Sequence, residues 1–152
     1  LSTPRGAPAL PAGFVGSLSH KDEVALAIAA RADDPPRATV GIDVEVPRPF
    51  RADISDRVLT PAERSVVAAL DPAARAAELM FRFAAKEAIY KALDPWVRRF
   101  VAFHEVEIAT TADGGRVATL ALARGEGPFA VTLRDASADG LVIAEAWIAR
   151  GA

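Results

Sequence analysis

Cysteine is absent from the 152 residues. That excludes a disulfide framework and any thiolate metal site. It fits a reducing compartment, and the cytoplasm is the expected location. A basic excess is also lacking: 18 Lys and Arg stand against 20 Asp and Glu, for a formal net charge of −2. A general nucleic-acid binder needs a positive field, so no nucleic-acid partner is expected. No apolar run approaches the length of a bilayer span and no signal-peptide pattern appears, so no membrane partner is expected. Solenoid-type repeats are missing too. What is present is 51% hydrophobic and 25% charged residues. That is enough for one domain, or two small halves sharing a core, and too apolar for a disordered chain.

Local patterns set the expected elements. Residues 1–12, rich in Pro and small side chains, read as an irregular lead-in. Residues 23–30 (EVALAIAA) alternate loosely and read as a strand, with a helix as the alternative that the alanines leave open. Residues 31–37 (RADDPPR) break it, and 38–46 (ATVGIDVEV) form a second strand ended by Pro47 and Pro49. The two runs are expected to pair antiparallel. Thr60-Pro61 with Glu63, and then Asp71-Pro72, are helix starts. The second helix is expected to run to about Leu93, where Asp94-Pro95 stops it. Four strand-like runs follow, VAFHEVEIAT, RVATLALA, FAVTLRD and LVIAEAWIA, separated by Gly-bearing turns. They are expected to form an antiparallel meander and, with Ala38 to Val46, the main antiparallel sheet against the helix that carries Glu87, which makes the class α+β.

Three stretches carry chemistry. In GIDVE, Asp43 and Glu45 share one strand face while Ile42 and Val44 take the other. Two close carboxylates repel unless a cation or protons intervene, and an all-oxygen set suits Mg²⁺. Taken alone, the stretch reads more simply as a solvated acidic edge. In FRFAAKEAIYKALDP, Glu87 and Lys91 are one helical turn apart. Taken alone, they are a surface pair worth a few tenths (~0.3) of a kcal/mol. In GSLSH, two hydroxyls and an imidazole precede a strand and could contact an anion, or simply form a turn with a capping serine. His104 alternates with Glu105 and reads as structural or solvent-facing.

The order and types of these stretches resemble the 4′-phosphopantetheinyl transferases of the surfactin-synthetase and enterobactin-synthetase kind. The family carries an S-x-S-H-like element, then G-[IV]-D-[IVL]-E, then [WF]-x-x-K-E-[AS]-x-x-K. Here these are Ser17-Leu18-Ser19-His20, Gly41-Ile42-Asp43-Val44-Glu45, and Phe83 through Lys86-Glu87 to Lys91. The resemblance spans Gly13 to Leu93. It implies the family's α+β fold, an antiparallel sheet packed on a long helix. It implies that Asp43, Glu45 and Glu87 surround Mg²⁺, and that Ser19, His20, Lys86 and Lys91 bind coenzyme A. Lys91 would take the pyrophosphate, and Glu87 and Lys91 would be the catalytic pair. The implied reaction transfers the 4′-phosphopantetheine arm of coenzyme A to a serine of an acyl or peptidyl carrier protein.

Only sixteen residues precede Ser17, fewer than two-half members of the family have. Residues 1–40 are therefore expected to be the remnant of a first half, and residues 41–152 the second half with the metal site. The start at Leu1 fits a domain fused within a larger synthase. Two other readings compete: a Mg²⁺-dependent phosphoester hydrolase, and a non-catalytic module binding coenzyme A or a carrier protein. An acidic carrier protein would need local positive charge. Arg48 and Arg51 around Phe50, and Arg98 and Arg99 between Trp96 and Phe100, are the candidates, with solvated arginines beside core aromatics as the equal alternative.

Overall fold

The computed structural model describes residues 7–33, 36–50 and 52–151. Strands β1 (Phe14–Lys21) and β2 (Val24–Arg31) form an antiparallel hairpin around Asp22 and Glu23, with Asp22 in the left-handed region at φ 50°. Strand β3 (Ala38–Glu45) pairs antiparallel with the last strand, β7 (Val142–Arg150), with Asp43 opposite Ala144. Strand β6 (Phe129–Asp135) completes this sheet in the order β3-β7-β6. Strands β4 (Val106–Thr110) and β5 (Arg116–Leu120) form a separate two-stranded ladder.

The helices lie between β3 and β4: α1 (Ser55–Val58), α2 (Pro61–Ala68) and the 26-residue α3 (Pro72–Val97). Their starts follow the sequence. Thr60 and Glu63 close a reciprocal capping box on α2, and Asp71 accepts from the amides of Ala73 and Ala74 at the head of α3. Helix α3 packs on β3 and β7 through its alanines. Ala84, Ala85, Ala88 and Ala92 are fully buried beside Ile89 and Leu93. The approach is so close that a Cβ on Gly41 would stand 1.9 Å from the Ala88 carbonyl oxygen. Thr39 Oγ1 donates to the Ala92 carbonyl at 2.6 Å and fixes the same crossing. The α+β class and the sheet-on-helix packing are as expected. Among the described residues no helix is long and apolar enough to cross a membrane.

Four local expectations are corrected. The run 23–30 pairs with β1 rather than with β3, because the short turn at Asp22 folds it back on its neighbour in sequence. The last four strands are not one meander. Glu63 accepts from the Ile108 amide and Arg82 donates to the Ile108 carbonyl, so helix side chains occupy the outer edge of β4. Residues Phe103–Glu105 form a 3₁₀ turn and β4 starts only at Val106. Helix α3 continues through Pro95 to Val97. Pro95 has no N–H to give the Lys91 carbonyl, so the helix loses one bond near its end. Trp96 stacks on Phe129 at 5.4 Å and holds that turn down, and Arg98 at φ 51° ends it.

Candidate active site

The site begins at the free edge of β3. One edge is paired with β7, and the amides of Ile42 and Val44 on the other edge are taken by hydroxyls. Ser17 Oγ accepts from Ile42 at 3.2 Å and Ser19 Oγ accepts from Val44 at 3.3 Å. The S-x-S stretch thus lies within β1, not ahead of a strand, and its period of two places both serines against β3. Ser19 also donates to Asp43 Oδ1 at 2.8 Å. His20, one residue on, takes the opposite face of the hairpin and is exposed.

Asp43 is 6% exposed and receives a second donor on the same oxygen, Lys91 Nζ at 2.8 Å, which also donates to the Ile42 carbonyl at 3.0 Å. Its other oxygen, Oδ2, is buried and has no hydrogen-bond partner among the described residues. An unsatisfied buried carboxylate oxygen is costly. Glu45, on the same strand face, is paired with Lys21 Nζ at 2.6 Å. Glu87 joins them from α3. Burial pushes its carboxyl above the usual glutamate value, and the negative charges of Asp43 and, more weakly, Glu45 push the same way. Lys91 and Arg57 oppose the shift. Three carboxylates therefore sense one another across β3 and α3. As the side chains lie here, no group of three or more His, Asp or Glu among the described residues is closed tightly enough to ligate a metal ion. Two lysines stand against two of the carboxylates instead.

Beside this cluster a cavity of about 770 Å³ opens between the hairpin and the C-terminal half of α3. Glu87, Tyr90, Lys91, Asp94 and Arg98 line its helix wall, and Phe14, Gly16, Ser17 and Leu18 line its strand wall. Sequence reasoning missed Tyr90 in the cavity and Lys21 on Glu45, and it assigned Arg98 to the carrier surface rather than to the cavity. Tyr90 and Arg98 follow Glu87 on the same helical face (positions 87, 90–91, 94, 98), a stripe visible at the 3.6 period. Lys21 continues the Ser17, Ser19 alternation.

Lys86 is the clear correction. It was expected to bind coenzyme A, but it points to the other side of α3 and is 1% exposed. Its ammonium donates to Glu63 at 2.6 Å and to the carbonyls of Val58 and Phe103. Burial pulls its pKa below the ordinary lysine value, against the pull of Glu63. With Arg82, Glu63 and Glu78 it forms a buried ionic network tying α2, α3 and β4 together. The arginine clusters are also mostly committed. Arg99 is clamped by Glu105 and Glu126, whose carboxyls it holds down at about 2. Arg48 is bidentate to Asp22 at 3.1 and 3.2 Å. Arg51 lies outside the described residues. His104 is exposed, with Nε2 3.1 Å from the Asp56 carbonyl oxygen.

Comparison with known proteins gives a consistent result. Residues 39–146 match the 4′-phosphopantetheinyl transferase superfamily, and residues 1–30 match the 4′-phosphopantetheinyl transferase N-terminal domain. The chain is 38% identical over 114 residues to 4′-phosphopantetheinyl transferase Svp of Streptomyces mobaraensis, covering 73% of this chain and 45% of that protein. It is 34% identical over 137 residues to PptT of Mycobacterium tuberculosis, covering 86% and 59%. Its fold matches a holo-(acyl-carrier-protein) synthase of Bacillus anthracis solved with CoA, with a TM-score of 0.63 at 23% identity over 74% of this chain and 96% of that one. The chain spans about half the length of the curated relatives it matches.

Proposed function

Because the chain belongs to the 4′-phosphopantetheinyl transferase superfamily, we propose that it transfers the phosphopantetheine arm of coenzyme A to a serine of an acyl or peptidyl carrier protein. The observation that carries this reading is the meeting of β3 and α3. It brings Asp43 beside Lys91, puts Glu87 within electrostatic reach of both, and opens a cavity along the same helix face.

The donor set fits a hard divalent cation. It is all oxygen, burial and then the charge of Asp43 raise the Glu87 pKa within it, and it includes a buried Asp43 oxygen that no donor among the described residues satisfies. Asp43, Glu45 and Glu87 would hold Mg²⁺, directly or through water. When bound, the ion would supply positive charge to the donor's pyrophosphate. Lys91, released from Asp43, would pair with the same pyrophosphate as a point charge. Ser19 keeps Asp43 in place, a positioning role. His20 contacts the donor only by reaching round from the outer face of the hairpin.

The chemistry is a substitution at phosphorus. The carrier serine oxygen forms a bond to the phosphorus that bears the pantetheine arm, and the bond from that phosphorus to the bridging oxygen breaks. The electron pair leaves on adenosine 3′,5′-bisphosphate. The serine proton passes to Glu87 or to a water it orients, and a carboxyl with a raised pKa is the better acceptor. Residues 1–40 act as part of a first half in this reading, and residues 41–152 carry the acidic cluster. The cytoplasm and a place in a larger synthase complete the proposal.

The incomplete coverage of the curated relatives favours one competitor, a piece that binds coenzyme A without turnover. One experiment separates them. The chain is incubated with coenzyme A, Mg²⁺ and an apo carrier protein, and the carrier is weighed by mass spectrometry. A gain of one phosphopantetheine arm supports transfer. Donor binding with an unchanged carrier supports the competitor, and coenzyme A cleavage without a carrier supports a hydrolase.

A further inference from the structure

Two ion pairs tie the tip of the β1–β2 hairpin to the end of β3. Lys21 Nζ stands 2.6 Å from Glu45 Oε2, and Arg48 is bidentate to Asp22 at 3.1 and 3.2 Å. The Arg48–Asp22 pair is exposed on both sides and anchors the tip. The Lys21–Glu45 pair is lopsided: the lysine side chain is 33% exposed and the glutamate side chain 9%. A lysine carries its charge on a flexible, readily hydrated stem. Lys21 can therefore turn its ammonium into water while Arg48 and Asp22 keep the backbone in place. Glu45 has no such exit, and Lys21 is its one ion-pair partner among the described residues. Lys91 is held more firmly, by Asp43 and by the Ile42 carbonyl together.

The charge balance of the cluster turns on this pair. Asp43, Glu45 and Glu87 bring three carboxylates, and Lys91 and Lys21 bring two ammonium groups. With both lysines in place, little negative charge is left for a divalent cation. The buried Asp43 Oδ2, without a donor among the described residues, is nevertheless an open ligand position. An ammonium 2.6 Å from Glu45 repels any second cation on the same carboxylate. Lys21 does not line the donor cavity, so its departure leaves the cavity walls as they are.

Resting on the reading of this cluster as a divalent-cation site, we propose that Lys21 is its internal competitor: it neutralises Glu45 in the metal-free chain, and Glu45 becomes available to the cation only when Lys21 swings out. Lys21 therefore sets the affinity of the cluster for the cation, and with it the free Mg²⁺ concentration at which the chain acts.

The test uses the chain alone, without coenzyme A or carrier protein. Mn²⁺ titration followed by EPR and Mg²⁺ titration by calorimetry give the cation affinity of wild type, Lys21→Met, Lys21→Gln and Lys21→Arg. The two neutral variants should bind either ion about tenfold tighter, an effect between those of an exposed and a buried ion pair. Lys21→Arg, which keeps the charge, should bind no tighter than wild type. Thermal unfolding is the second readout. Without metal, Lys21→Met should melt below wild type, because Glu45 loses its counter-ion, and saturating Mg²⁺ should close that gap. Should Lys21→Met fail to fold without metal, Lys21→Gln keeps a hydrogen-bond donor for Glu45 and carries the same prediction. Equal or weaker cation affinity in the neutral variants, or no cation binding by any of the four proteins, overturns the proposal. So does a Tm gap that saturating Mg²⁺ leaves unchanged. The two readings fail separately. Tighter cation binding by the neutral variants, with no arm transferred to a carrier, sinks the proposed reaction and keeps the role of Lys21. Transfer with an unaltered cation affinity does the reverse.

Discussion

At the residue scale, Glu87 and Lys86 are adjacent in sequence and opposite in role. Glu87 sits where burial and the charge of Asp43 favour its neutral form. Its folded pKa exceeds its unfolded one. Its contribution to stability is therefore present below the unfolded value and is lost as pH rises through the raised value. Asp43→Asn removes the largest like charge and frees Lys91 to turn to Glu87. The Glu87 carboxyl resonance should then titrate at lower pH than in wild type, by NMR without Mg²⁺. Titration at the same or higher pH would mean that Asp43 does not act on it. Lys86→Met should behave differently. It strips a buried cation from Glu63 and leaves the Val58 and Phe103 carbonyls without their donor. Breaking a buried pair of this kind costs about 3–5 kcal/mol, readable by urea unfolding. A stable Lys86→Met protein with a raised KM for coenzyme A would return Lys86 to the donor site. Sequence alone could not separate the two residues. A K-E pair straddles the helix, and which side meets the cavity depends on where the sheet lies.

At the element scale, the crossing of α3 over β3 sets the distance between Asp43 and the Glu87–Lys91 face. Gly41 permits that crossing, since any Cβ there would enter the Ala88 carbonyl. Gly41→Ala should destabilise by about 1–3 kcal/mol, as overpacking does, and lower the Tm. The helix must also lift from the strand, so the Glu87 pKa should drift toward its ordinary value. An unchanged Tm with an unchanged Glu87 titration would show that the two elements are not in register through this glycine. Much of this level was legible beforehand. The caps at Thr60 and Asp71 have local causes, and they start α2 and α3 where the sequence places them. That Ala38 to Val46 joins the strands after Val101 was legible, and β3 does pair with β7, Ala38 with Ala149. The partner of the run 23–30 and the end of α3 were not legible. The last turn past Pro95 is held by Trp96 on Phe129, a contact no local pattern announces.

At the scale of the whole molecule, the acidic cluster is built from three separate parts of the chain. β1 supplies Ser17, Ser19 and Lys21, β3 supplies Asp43 and Glu45, and α3 supplies Glu87 and Lys91. The first of these lies in the stretch matched by the N-terminal-domain family, and the others lie in the superfamily match. The short motifs were readable because each keeps its own spacing. The lysine plugs on Asp43 and Glu45 were not, because they join β3 to residues distant in sequence. The most direct test of the account is the mass of an apo carrier protein after incubation with this chain, coenzyme A and Mg²⁺. The account predicts that the carrier gains one phosphopantetheine arm with wild type, and gains nothing with Glu87→Gln or without Mg²⁺. An unmodified carrier with the folded wild-type chain, or full modification by Glu87→Gln, would contradict it.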